Sequence, residues 1–92
     1  LQKWVYQYLK YPQSAVREGV QGKVLVDFII DEKGKVRDVQ VLRGVDPRLD
    51  EEAVRVVSAS PDWRPGYVGG KKVKAEMSLW IEFRLEKKKN KK

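Results

Sequence analysis

Residues 73–85 read VKAEMSLWIEFRL, and every odd position in them is apolar. Val73, Ala75, Met77, Leu79, Ile81, Phe83 and Leu85 share one face. Lys74, Glu76, Ser78, Trp80, Glu82 and Arg84 share the other. A period of two held without a slip specifies a half-buried β-strand rather than a helix. At ~3.3 Å per residue such a strand spans about 43 Å, where strands usually run to about 5–6 residues. It contains no Pro or Gly and keeps its charges outward, so it lacks the devices that normally blunt a sheet edge. A chain carrying this segment must build a sheet around it, with one edge longer than a small sheet uses.

The rest of the chain supplies the sheet and its cover. Leu1, Trp4, Val5, Tyr8 and Leu9 form the stripe of an amphipathic helix. Pro12 breaks that helix and suits the first turn of a second one, residues 12–18, with Ala15 and Val16 inward and Gly19 at its C-terminus. Gly22 opens KVLVDFIID, where Val24, Val26, Phe28 and Ile30 share one face while Leu25 and Ile29 lie on the other. Apolar on both sides, this strand belongs in the centre. DEKGK is a hairpin turn, with Gly34 at the position that needs a positive φ. VRDVQVLRG returns with Val39 and Val41 inward; Val36, three residues before Val39, calls for a bulge or a late start.

Asp46-Pro47 is an N-cap followed by an N1 proline, with Asp50, Glu51 and Glu52 in the early turns, where the helix dipole favours anions. Leu49, Ala53, Val56 and Val57 give that helix its buried stripe, and Pro61 ends it. DWRPGYVGGKK is expected to be a loop, with Trp63 plugging the edge of the core. Trp80 is the one aromatic on the polar face of the last strand: either a binding contact or a cover for Leu25 and Ile29.

Several function classes fall away. The 92 residues contain no Cys and no His. Disulfide frameworks, histidine-based triads, histidine general bases and most zinc sites are therefore excluded. Asp31 with Glu32 flank a hairpin turn and Asp50 to Glu52 decorate a helix start, so structure accounts for both clusters without catalysis. The four Ser have no base, and no metal-ligand spacing exists. GYVGGKK lacks the preceding strand, the following helix and the hydroxyl residue of a phosphate-binding loop. The chain reads as a non-enzyme with neither cofactor nor metal. Its net charge is +7, but Lys87, Lys88, Lys89, Lys91 and Lys92 supply five of it, leaving +2 on residues 1–86. A basic nucleic-acid surface would be built into the folded body among aromatics. This one is a tail, expected to be disordered. With its only Met at position 77, the chain is expected to be a fragment of a longer protein.

Taken together, YPQSAVREGVQGKVLVDFIIDEKGKVRDVQVLRG, LDEEAVRVV, DWRPG and a strand ending in FRL resemble the C-terminal domain of the TonB energy-transducer family, from Tyr11 to Leu85. The resemblance implies a periplasmic domain, tethered by an N-terminal membrane helix and a long linker to a proton-driven motor in the inner membrane. It implies binding of the TonB box of outer-membrane transporters, added as a strand to the edge of the last β-strand. On this chain the partner-strand residues are then Lys74, Glu76, Met77, Ser78, Leu79, Trp80, Ile81, Glu82 and Arg84. Tyr8, Lys10 and Tyr11 are candidate additional contacts; where some members carry glutamine and proline ahead of the Tyr-Pro pair, this chain reads Tyr8-Leu9-Lys10.

The expected fold is α+β: a three-stranded antiparallel sheet in the order second, first, third, with helices packed on one face. Residues 1–10 form an N-terminal amphipathic helix or linker end, 11–86 the domain and 87–92 the lysine-rich tail. A homodimer through edge strands is a further expectation. Other readings are a similar domain appended to a membrane sensor or regulator, or a basic-tail binder of nucleic acid or acidic lipid.

Overall fold

A computed structural model describes residues 2–86. The expectations for Leu1 and for the tail at 87–92 lie outside the described residues. The element order is α1 (Gln2–Tyr8), α2 (Gln13–Arg17), β1 (Gly22–Ile30), β2 (Val36–Arg43), α3 (Pro47–Ser58), β3 (Gly66–Val68), β4 (Lys71–Val73) and β5 (Ala75–Phe83). The main sheet is antiparallel in the order β2-β1-β5, so the doubly apolar strand is central, as its pattern requires. β5 pairs with β1 over all nine residues, from Gly22 opposite Phe83 to Ile30 opposite Ala75.

The core lies between one face of this sheet and the helices. Val24, Val26, Phe28 and Ile30 of β1 meet Leu49, Ala53, Val56 and Val57 of α3, with Ile81 and Phe83 of β5. Val5 of α1 and Ala15 of α2 close it at one end. Each of the larger side chains buried here is worth about 1.5–3 kcal/mol of transfer free energy. α3 starts where its cap dictates: a carboxylate oxygen of Asp46 accepts from the Arg48 amide at 2.9 Å, and Pro47 follows. The Arg48 guanidinium also donates to Asp46, Ser14 and Glu18, tying α2 to the start of α3.

The β1–β2 turn closes on Gly34, at φ 85°. Its amide donates to the Asp31 carbonyl, and the Asp31 carboxylate accepts from the amides of Lys33 and Lys35. Gly34 is fixed from a second side, because its carbonyl accepts from the Trp63 amide at 2.8 Å. Trp63 stacks on Phe28 with ring centroids 5.4 Å apart and does plug the core edge. The irregular spacing of Val36 and Val39 is resolved by a bulge. Ile29 faces Arg37 and Asp27 faces Gln40, so β2 carries one extra residue, and Asp38 turns to φ 53° to absorb it.

Four expectations need correction. The last strand is not thirteen residues long: Val73 belongs to β4, which pairs with β3, and β5 begins only at Ala75. The alternation runs on through residue 74 although the hydrogen-bonding partner changes there, and a side-chain pattern does not record a change of partner. The segment read as a loop contains that hairpin, turned by Gly69 and Gly70 at φ 57° and 79°. Val16 is exposed rather than inward, because α2 is a single short turn with Pro12 as its N-cap and buries only Ala15. Tyr8, placed on the buried stripe of α1, is 51% exposed and stacks on Trp4 instead, with ring centroids 4.8 Å apart.

Candidate functional site: the free edge of the last strand

β5 has a neighbour in the sheet on one side only, so its other edge is free among the described residues. Which backbone groups face that edge follows from one contact. The Glu82 amide donates to the hydroxyl of Tyr6 at 3.0 Å, so it points away from β1. Successive residues of a strand present their N–H and C=O groups to opposite sides in turn. The backbone groups of Glu76, Ser78, Trp80 and Glu82 therefore face the free edge. Those of Met77, Leu79, Ile81 and Phe83 bond to β1.

The side chains follow the same parity. Glu76, Ser78, Trp80 and Glu82 stand on the uncovered face of the sheet, opposite Ile29, Asp27, Leu25 and Lys23 of β1. In the middle of that face Asp27, though 93% buried, is fully engaged. Its carboxylate accepts from the Ser78 hydroxyl at 3.4 Å and from the Gln40 side-chain amide at 3.3 Å. Trp80 lies directly across from Leu25 and is 46% exposed, with Lys23 Nζ 5.5 Å from its ring centroid. Nearly half of its surface stays in water. A cation over an exposed ring adds about 0.5–1 kcal/mol, enough to bias the rotamer.

The sequence-predicted residues do not all converge. Ile81 is fully buried and Leu79 half-buried against the core, so neither side chain is presented to a partner, and their amides bond to β1. Met77, 36% exposed, is the open apolar position on that face. Lys74 and Arg84 flank the strand rather than belong to it; Arg84 Nε sits 3.6 Å from a Glu82 carboxylate oxygen. Tyr11 is not a free contact. Its ring meets Phe83 edge-on with centroids 5.4 Å apart, its hydroxyl donates to the Val20 carbonyl, and burial raises its pKa. The Lys10 amide donates to Glu52 at 2.7 Å, and the Arg55 guanidinium donates to both Glu52 and the Tyr8 carbonyl. Burial pushes the Glu52 carboxyl up, but Arg55 and the Lys10 amide more than offset it, and its pKa lies below the ordinary value. This clamp fastens the end of α1 to α3.

Tyr6 is the residue that sequence reasoning missed. It lies off the apolar stripe of α1, and no pattern in the chain links it to a strand 76 residues away.

Sheet, helix order and edge together define a small α+β domain whose last strand pairs on one side with the central strand and carries no strand on the other among the described residues. Residues 7–85 match the family described as Gram-negative bacterial TonB protein C-terminal, and the chain belongs to that family. It is 35% identical over 77 residues to Protein TonB of Pseudomonas aeruginosa, which covers 84% of this chain and 22% of that protein. The Helicobacter pylori TonB C-terminal domain superposes with a TM-score of 0.78 at 23% identity, covering 95% of this chain and 78% of that one. The Pseudomonas aeruginosa TonB C-terminal domain gives 0.66 at 34% identity, covering 87% of this chain and 81% of that one.

Proposed function

We propose that this domain is the periplasmic end of a TonB-type energy transducer and binds the TonB box of an outer-membrane transporter as an added strand on the free edge of β5. The longer protein would be anchored in the inner membrane and carry work from a proton-driven motor to the transporter. The observation that carries the reading is the regular run of backbone groups at Glu76, Ser78 and Trp80, without a partner among the described residues, on an edge that neither Pro, bulge nor inward charge protects. Such an edge is a hazard unless strand addition is its use.

Backbone pairing alone gives little net affinity. A six-residue strand gains about six hydrogen bonds at ~0.5–1.5 kcal/mol each, while ordering its backbone costs about 1–2 kcal/mol per residue. Affinity for a short peptide is therefore expected to be no better than roughly micromolar, with side-chain contacts at Met77 and Trp80 deciding its value. Titration of a synthetic TonB-box peptide into the labelled domain, followed by NMR, tests the reading. Shifts should cluster on residues 75–80. Shifts confined to α3 or β2 would refute it.

A further inference from the structure

Of the four residues that turn their backbone to this edge, Glu82 is occupied, and Glu76, Ser78 and Trp80 have no backbone partner on that side among the described residues. Tyr6 holds the Glu82 amide through its hydroxyl, on the side where an added strand would place a carbonyl. The ring itself is 45% exposed, so the core does not grip it. Its position is set by the helix that carries it. The next residue back, Val5, is 1% exposed in the core, and the far end of α1 is clamped by the Arg55 donation to the Tyr8 carbonyl. Close by, the Leu85 amide donates to the Gln21 side-chain oxygen at 2.8 Å, so the backbone just beyond β5 is also engaged.

We propose that Tyr6 is a register stop for the incoming strand. The partner, an extended peptide segment, pairs with the backbone of Glu76, Ser78 and Trp80 and ends before Glu82, where the tyrosine hydroxyl already takes the place of its next carbonyl. This rests on the strand-addition reading and adds what that reading lacks: the length and end point of the docked segment. About five residues of partner backbone fill the window between Glu76 and Trp80. A peptide displaced along the edge by two residues toward Phe83 keeps its side-chain parity but meets the hydroxyl. Register along an edge is otherwise weakly specified, because a slip of two residues preserves every facing pattern. A fixed acceptor at one end breaks that degeneracy.

The test uses amide hydrogen exchange in the wild-type domain and in Tyr6→Phe, each with and without a synthetic TonB-box peptide of eight residues. The substitution keeps the half-exposed ring and removes only the hydroxyl, so the thermal melt should be unchanged to within a few degrees. In the free protein, the Glu82 amide of Tyr6→Phe should exchange about tenfold faster while Ile81 and Phe83 stay as they were. With saturating peptide, the wild type should gain protection at Glu76, Ser78 and Trp80 and none at Glu82. Tyr6→Phe should gain it at Glu82 as well, and bind about threefold more tightly or better. Equal Glu82 exchange in the two free proteins, or peptide protection of Glu82 in the wild type equal to that of the other three, overturns the stop. Absence of protection at Glu76, Ser78 and Trp80 in both proteins overturns strand addition itself, and the stop with it.

Discussion

Gly34 and Asp46 each hold a turn for a reason that a single substitution exposes. Gly34 stands at φ 85°, and a Cβ added there would come within 2.1 Å of the Trp63 carbonyl oxygen. Gly34→Ala therefore combines left-handed strain with a backbone clash and should cost more than about 2 kcal/mol in urea denaturation. Gly69, at φ 57° with nothing within 4 Å of such a Cβ, is the control; Gly69→Ala should cost only about 1 kcal/mol. Asp46 is held down by hydrogen bonds from the Arg48 side chain and amide, from 3.8 to about 2. A carboxyl whose folded pKa is depressed contributes stability above its unfolded value and loses it as pH falls toward the folded one. The domain should weaken between about pH 4 and pH 2, and Asp46→Asn, which keeps a capping oxygen without the titration, should show a shallower decline in denaturation series across that window.

The open strand makes its own prediction at the level of the element. The parity of β5 requires proline to act differently at alternate positions. Leu79→Pro deletes an amide that bonds to β1 and should destabilise the domain by about 3 kcal/mol or more. Ser78→Pro deletes an outward amide and the hydroxyl that donates to Asp27 but no bond to β1, so the fold should persist with a smaller loss of stability while TonB-box peptide binding is lost. Thermal melts and peptide titrations of the two variants check this pair, and a Ser78→Pro domain that folds and still binds normally would argue against addition to this edge. The alternation itself was legible in residues 73–85, and so was the existence of two parities. Their assignment was not, because the side-chain pattern is symmetrical with respect to which edge a neighbour occupies. The hairpin of β3 and β4 escaped for a related reason: three-residue strands around Gly69-Gly70 are too short to establish a period.

For the whole molecule, an edge open from Glu76 to Trp80 among the described residues can take a second copy as well as a peptide. Self-association should emerge in sedimentation as concentration rises toward the millimolar range. The TonB-box peptide should suppress it, since both compete for Glu76, Ser78 and Trp80. A dimer indifferent to peptide would place the contact elsewhere.

Much of the architecture was settled by the chain alone. A strand apolar on both faces has nowhere to sit but the centre, which fixes the order β2-β1-β5 once the third strand is recognised. Asp46-Pro47 and the stripe of Leu49, Ala53, Val56 and Val57 determined where α3 starts and which side it buries, because caps and helical periods are local properties. The end of the window proposed for a partner strand is a matter of tertiary structure alone. It depends on Tyr6 reaching Glu82 across nearly the whole length of the chain, through one hydrogen bond whose donor and acceptor follow no periodicity. Patterns in sequence report which face is buried; where two distant backbones come to lie side by side is set by how the helices pack.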